Sequence, residues 1–526
     1  MAERTAPAGE TDLAELRRRA AGIRVAVIGA GAAGLVAARE LAGVGFAVDV
    51  YEAADTPGGA VRTAEVAGVR LDLGAESFAT RGGHVRALID ELGLGGDVVE
   101  PGTGAGGAWL AGLPGGRTAP LPKGGILGIP ATPFTADVRR IIGWGGAWRA
   151  YLVDTFKPVL TIGHAASLGK LVRSRLGGAI ADRLVAPVTS GVYSADPDDI
   201  DPEVAAPGLG AAITKMGRLF SAVDRLQRER REVAKAPGSA VQGITGGMGR
   251  LIDALVDDLA THSVTFRTAT QVERLEHDGA WRVVTNAVAR EHPDAAPLDP
   301  DAVDLDAPEG ADDRDDETDD PAYDAVFVAT DEGTARRLLA PHVEGLAPAP
   351  SHDGPSVAVA TLVLDAPQLD AAPRGTGVLT VPGSFRAKAL THVTAKWAWV
   401  GDALGGSRHV VRVSFGAQGE APATDELSED EAAQLALEQA SAMLGAELAR
   451  EQLVDIRIER FAQSQPAATI GRRSAVEAAR SSVIAVDGLG VAGAWVAGTG
   501  LAQVVPDAVA EADRLRHAVL WRGDDS

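Results

Sequence analysis

No cysteine occurs among the 526 residues. This excludes disulfides, thiolate nucleophiles, Cys-ligated zinc, iron–sulfur clusters and any cysteinyl attachment of a cofactor. Aromatic residues are sparse, at 10 Phe, 8 Trp and 4 Tyr, too few for a rich aromatic cage around a cationic ligand. The ten histidines show no HExxH or similar spacing, so no metal motif stands out. Long apolar runs are also missing. The longest, Leu489 to Val505, is broken by Gly490, Gly493, Gly498 and Gly500 and ends at Pro506-Asp507, a pattern of strand, turn and helix start rather than of a membrane span. Met1 to Gly22 is polar and carries Arg17-Arg18-Arg19. It lacks the apolar centre of a signal peptide, and the expected location is the cytoplasm.

Basic charge is in deficit, with 50 Lys and Arg against 72 Asp and Glu, a formal charge of −22. The excess is uneven. Asp299 to Asp320 holds twelve acids and one base, Arg314, a net −11 that is half the total. This stretch is rich in Asp, Pro and Ala and poor in large apolar residues, which predicts a solvated, disordered loop over 291–322. The acidity argues against nucleic acid and anionic membrane surfaces as partners.

What is present begins at Val25-Ala-Val-Ile28, a short apolar run that enters the glycine turn Gly29-Ala-Gly31-Ala32-Ala33-Gly34. A helical pattern follows from Leu35 to Leu41, then a strand pattern from Phe46 to Tyr51 that ends at Glu52. Each part has a task in a dinucleotide fold. Gly29 permits the tight turn, Gly31 lets the backbone approach a pyrophosphate, and Gly34 lets helix and strand pack closely. The helix N-terminus offers unpaired N–H groups to phosphate. Glu52, 18 residues after Gly34, stands where a carboxylate accepts ribose hydroxyls.

A second glycine turn, Gly58-Gly59, follows with Arg62-Thr63. This layout resembles the double-glycine signature of the flavin amine oxidase and protoporphyrinogen oxidase superfamily, in which the turn runs under the FAD pyrophosphate and the arginine reaches phosphate or flavin. A nicotinamide-binding domain needs no such turn. The cofactor implied is FAD, expected to be noncovalent; the absence of cysteine excludes a cysteinyl link and leaves a histidyl one open.

Later segments extend the resemblance. Gly243 to Gly249 leads into an amphipathic helix, Leu251 to Leu259; strand patterns follow at Thr265-Phe266, Val272 to Leu275, Trp281 to Val284 and Tyr323 to Thr330. Ala492 to Gly498 reads as the last strand, with a final helix starting near Pro506. The resemblance implies that Val272 meets the adenine through its backbone, that Thr330 covers the dinucleotide, and that Gly498 and Val505 lie by the flavin or pyrophosphate. Gly74 to Phe78, Pro122 to Pro130, Pro187 to Asp196, Gly375 to Pro382, Thr391 to Trp397 and Gln465-Pro466 look like segments of bacterial porphyrinogen oxidases. Ser194-Ala195 departs from the more usual Ala-Gly after the tyrosine. The run before Pro506-Asp507 carries less glycine than is usual.

The expected fold is α/β with an α+β substrate part: a Rossmann-like FAD domain in discontinuous segments (1–81, 236–344 and 463–526), a helical substrate-binding insertion (82–235) and a substrate-binding domain (345–462). The resemblance points to the coproporphyrinogen branch of the family. It implies six-electron oxidation of coproporphyrinogen III by O2 with formation of H2O2, and transient contact with a downstream ferrochelatase. Protoporphyrinogen IX is the alternative substrate. The absence of a membrane segment and the negative charge favour the tetracarboxylate. Arg81, Lys123 and Lys396 are the candidate cationic partners for its propionates, and Tyr193 the candidate cavity-facing residue; the bland reading of each cation is a solvated surface base. An amine oxidase or a carotenoid-type desaturase is the nearest rival, although no apolar docking face stands out as a desaturase would need. A porphyrin carrier is the non-enzymatic one.

Overall fold

The computed structural model describes residues 15–16, 18–104, 106–158, 167–233, 240–287, 321–349, 354–462 and 468–522. The acidic stretch expected over 291–322 lies almost wholly outside these residues, as do Gln465-Pro466.

Three separated stretches of chain meet in one parallel sheet. Its strands run in the order Val264–Arg267, Ala47–Tyr51, Arg24–Ile28, Ala325–Val328 and Leu489–Val491. The central strands Val25 to Ile28 and Ala325 to Val328 are buried along their whole length, as continuous apolar runs in parallel sheets are. Helices Ala32–Ala42 and Leu501–Leu520 pack together over one face. Leu35, Leu41, Val504, Val505 and Leu515 share a core there with Val25 and Val27.

A second, mixed sheet has seven strands in the order Leu453–Ala462, Ser356–Asp365, Arg408–Phe415, Ala387–His392, Gly377–Thr380, Trp109–Leu113 and Arg117–Pro120. All pairings are antiparallel except that of Gly377–Thr380 with Trp109–Leu113. Side-chain alternation sorts its two faces. Leu362, Leu364, Val411 and Val413 pack under helix Glu429–Leu444, whereas Val363 and Val410 meet Val66, Leu71, Trp397 and Val400 on the other side. The strands from Trp109 to Pro120 show that part of the 82–235 insertion completes the sheet otherwise built from 345–462.

Apart from short strands at Val98–Val99, Gly125–Ile126 and Ile129–Pro130, the rest of the insertion is mostly helical, with His84–Glu91, Ala136–Phe156, Leu168–Arg175, a run from Gly178 to Tyr193, and three more helices ending at Val233. Helix Ala136–Phe156 is kinked at Gly143, whose φ is 72°. It exposes Trp144 (58 %), Trp148 (51 %) and Phe156 (78 %). This face, which Leu152 continues between Trp148 and Phe156, corrects the expectation that none stands out: set at four-residue intervals among glycines and charges, it vanishes in a linear reading and appears only on a helix. Among the described residues no helix is long and apolar enough to cross a membrane.

Two local expectations also change. The last strand is Leu489–Val491, and Ala494–Ala497 is a helical turn between Gly493 and Gly498, whose φ values are 124° and 106°. Positive φ at both ends bends the chain out of the extended form that its apolar composition suggests. The last helix starts at Leu501, with Pro506 inside it. Pro506 lies in the second turn, where it gives up one backbone bond and sets its ring against the Ala502 carbonyl.

Candidate functional site

The first strand ends in a turn whose geometry only glycine satisfies at two points. Gly29 has φ of 100°, and a Cβ there would stand 2.8 Å from the Ala329 carbonyl oxygen. A Cβ on Gly34 would stand 1.9 Å from the Gly29 carbonyl oxygen, inside contact distance. Gly31 is different: its backbone is extended, and a Cβ there meets nothing within 4 Å. It therefore borders open space at the start of helix Ala32–Ala42. No side chain caps that helix, so the N–H groups of its first turn, through Ala32, Ala33 and Gly34, remain free to bind an anion.

The second glycine pair lies across this turn. The Gly58 N–H donates to the Ala30 carbonyl (2.9 Å), and Gly31 bridges Gly58. Glu52 completes the cradle. Its carboxylate accepts from the Ala30 N–H (2.7 Å) and the Ala54 N–H (2.9 Å), so the acid fastens the turn to the end of its own strand and keeps lone pairs for a ligand hydroxyl. Open space at Gly31, an uncapped helix N-terminus and a half-buried carboxylate fit a dinucleotide's phosphates and ribose.

The other cofactor candidates surround this cradle unevenly. Thr330 is half-buried after the Ala325–Val328 strand, with its methyl group beside Gly29. Val272 is buried, and its carbonyl accepts from the Arg337 guanidinium (3.3 Å). Gly498 is buried at the end of the Ala494–Ala497 turn; the Val505 side chain is buried in the core under the last helix. Asp507 binds Arg480 of helix Arg472–Ile484 through both oxygens (2.6 and 2.8 Å), and Arg480 also donates to the Val491 carbonyl (3.2 Å), which ties the last helix to its neighbour and to the last strand. Arg62 is exposed at 44 % and paired with Glu459 of the mixed sheet (2.9 Å).

The joint between the nucleotide half and the mixed sheet is built on Glu76, an acid that sequence reasoning passed over within Gly74 to Phe78. Its carboxylate binds the Lys396 ammonium (2.5 Å) and the Arg412 guanidinium (3.2 Å), and its side chain is only 14 % exposed. Arg412 also donates to the Leu73 and Gly74 carbonyls (2.7 and 2.6 Å). Burial pushes the Glu76 carboxyl up, but the two cations outweigh it and hold it below the usual carboxylate range. Lys396 lies over the Trp397 ring, and that ring packs on Gly243, where a Cβ would come within 3.0 Å. Neighbouring Asp72 accepts from the Met248 N–H (2.9 Å), while burial pushes its own carboxyl up. Asp72, Glu76, Trp397, Trp399 and Arg412 line a narrow cleft here. The one advance signal for Glu76 was an acid set in the mostly apolar stretch Leu71 to Phe78.

The remaining candidates do not converge. Arg81 is exposed ahead of helix His84–Glu91. Lys123 is exposed beside the short strand Gly125–Ile126, in the helical region. Tyr193 is half-buried against the core of the helical insertion. A lysine not singled out from the sequence, Lys388, reaches Ser194 Oγ at 2.6 Å.

Comparison with known proteins bears on this arrangement. The family model described as "Flavin containing amine oxidoreductase" matches residues 32–515. The chain is 28 % identical over 507 residues to a coproporphyrinogen III oxidase of Mycobacterium tuberculosis (strain H37Rv), covering 94 % of this chain and 96 % of that protein. It is 28 % identical over 255 residues to the coproporphyrinogen III oxidase of Staphylococcus aureus (strain NCTC 8325), covering 47 % and 54 %. A crystal structure assigned as a protoporphyrinogen oxidase from Exiguobacterium sp. 255-15 shares the fold, with a TM-score of 0.74 and 23 % identity over 95 % of this chain and 99 % of that one.

Proposed function

The chain belongs to the family of flavin-containing amine oxidoreductases, and from that premise we propose that it holds FAD noncovalently and uses O2 to oxidise coproporphyrinogen III to coproporphyrin III. One observation carries the substrate reading. The likeness to the mycobacterial coproporphyrinogen III oxidase runs over 94 % of this chain, so it takes in the helical insertion and mixed sheet as well as the flavin part. FAD held in that cradle would supply a hydride acceptor for a carbon bridge of the macrocycle and a route for the electrons to O2, with H2O2 as the product.

The protein's own residues have simpler tasks. The helix that follows Gly31 binds phosphate with free N–H groups, and Glu52 accepts a ribose hydroxyl while it holds the turn shut. Arg62, Val272, Thr330, Gly498 and Val505 belong to the same reading as outer contacts. Glu76, Lys396 and Arg412 clamp the mixed sheet onto the nucleotide half. That clamp keeps water from the reaction face, as a hydride transfer requires. Arg81, Lys123 and Tyr193 remain proposed substrate contacts. The same reading makes this a cytoplasmic enzyme that hands its product to a ferrochelatase through transient contact.

The test is direct. The purified protein is examined for a flavin spectrum and for flavin release on acid precipitation. Coproporphyrinogen III and protoporphyrinogen IX are then supplied separately under air while porphyrin fluorescence and H2O2 are followed. The expected result is acid-released FAD and faster turnover of coproporphyrinogen III. Protein that cannot be reconstituted with FAD overturns the cofactor; turnover of protoporphyrinogen IX alone overturns the substrate.

A further inference from the structure

The strand Ala387–His392 carries an irregularity at its first turn of pairing. Ala387 pairs with Phe415 and Ala389 with Ser414, which leaves Lys388 as the extra residue of a β-bulge. The bulge is held by Thr380, whose hydroxyl is buried and lies 2.9 and 3.0 Å from the Ala387 and Lys388 carbonyls. Such a bulge re-aims one side chain out of the regular pleat. Here it delivers the Lys388 ammonium to Ser194 Oγ at 2.6 Å.

Ser194 is itself held in place. It is 3 % exposed and ends helix Ala186–Tyr193 in the left-handed region (φ 53°, ψ 29°), an uncommon conformation for serine. Its carbonyl accepts from the Gln418 N–H (2.8 Å). One turn earlier, Gly191 lets the helix press on Leu379 of the adjoining strand, where a Cβ would meet the leucine at 2.5 Å. Bulge, buried threonine and left-handed serine together fix one ammonium against one hydroxyl, where helical insertion and mixed sheet meet.

The charge of that ammonium is unanswered. It has three N–H donors, and Ser194 accepts one of them. Among the described residues Lys388 enters no ion pair, in contrast to Lys396, which has Glu76. Burial without a counter-charge pushes the Lys388 ammonium down to about 8. A shielded cation is costly unless an anion joins it, and an ammonium beside a hydroxyl offers two donors suited to a carboxylate.

We propose that Lys388, steadied by Ser194, anchors a propionate carboxylate of the substrate, an inference that rests on the porphyrinogen reading above. The serine follows Tyr193, which places the carboxylate at the end of the helix that carries that residue.

The experiment uses the full-length, flavin-loaded protein with Lys388→Met, Lys388→Arg and Ser194→Ala. Affinity is read by fluorescence for coproporphyrin III and for its tetramethyl ester, which lacks free carboxylates; KM and kcat are measured with coproporphyrinogen III. Lys388→Met is expected to weaken coproporphyrin III binding by about tenfold, as loss of a charge-assisted contact does. Ester binding stays unchanged, KM rises by a similar factor, and kcat stays within about twofold. Lys388→Arg restores most of the affinity, and Ser194→Ala weakens it in the same ester-independent way. Equal weakening of acid and ester, or no change in either, overturns the anchor while the wild type still turns over. Wild-type protein that binds neither porphyrin and oxidises neither porphyrinogen overturns the porphyrinogen reading, and the anchor with it. If Lys388→Met does not load flavin, Ser194→Ala alone decides by the same comparison.

Discussion

The mixed sheet meets its two neighbours through two lysines, and the two joints are opposites. At the nucleotide side Lys396 is balanced: Glu76 binds it at 2.5 Å, Arg412 shares the carboxylate, and the Trp397 ring lies beneath the ammonium. At the helical side Lys388 meets a neutral serine hydroxyl. The first joint is a clamp whose charges are answered within the chain. The second is a cation held in position by a bulge and a left-handed serine, with its charge left for a ligand. A closed pair spends its electrostatics on holding two parts together; an open one reserves them for binding.

Removal of Glu76 is the severest way to break this contrast. Glu76→Ala leaves Lys396 and Arg412 buried without an anion, and urea unfolding should show a loss of about 3–5 kcal/mol. A loss below 1 kcal/mol would mean that the clamp is no tighter than an ordinary surface pair. Between the two joints lies His392, fully buried, with Nε2 3.2 Å from His409 Nδ1. Burial lowers its pKa to about 4 from 6.5, with His409 adding to the effect. The unfolded chain therefore takes up a proton below about 6.5 that the folded protein refuses until about 4. Stability is full above that window and falls through it as pH drops, by about 3 kcal/mol at 1.36 kcal/mol per unit. A His392→Asn variant should unfold with a flatter pH dependence between those limits.

The sharpest contrast lies in sign. Lys396→Met should destabilise the protein, because it strips Glu76 of a partner. Lys388→Met should instead stabilise the ligand-free protein at pH 7, by about 1–3 kcal/mol, because it removes a half-buried charge that no acid among the described residues answers. Thermal unfolding of the two variants side by side tests this, and two changes of the same sign would erase the distinction. Smaller effects bracket the pair. Arg62→Ala breaks a half-exposed ion pair with Glu459 and should cost no more than about 1 kcal/mol. Phe156→Ser on the exposed aromatic face should stay within about 0.5 kcal/mol; a larger loss would show that this face is covered in solution.

Legibility followed sequence distance. The cradle of Gly29, Gly31, Gly34, Glu52, Gly58 and Gly59 was readable because its parts lie within one short stretch of chain, although the neighbour that demands glycine at position 29, the Ala329 carbonyl, comes from far along the sequence. The clamp was not. Glu76 and Lys396 are 320 residues apart, and Glu76 and Arg412 are 336 apart, so nothing in either segment announces its partner. Trp397 drew attention as part of a resembling segment, but its packing on Gly243 shows only in three dimensions. The short Ala494–Ala497 turn misled for a related reason: four apolar residues suit a strand or a helical turn equally, and the flanking glycines decide between them through their φ angles.

The amino-acid order alone determined the glycine turn and the uncapped helix N-terminus after it, because both are backbone properties that glycine spacing encodes directly. It also determined that no chemistry here depends on cysteine. The tertiary structure decided which charges are spent and which are kept. Lys388 and Lys396 lie on one short stretch of chain and carry the same charge. Only the fold brings Glu76 to one and Ser194 to the other, because burial and pairing depend on what a side chain meets after folding.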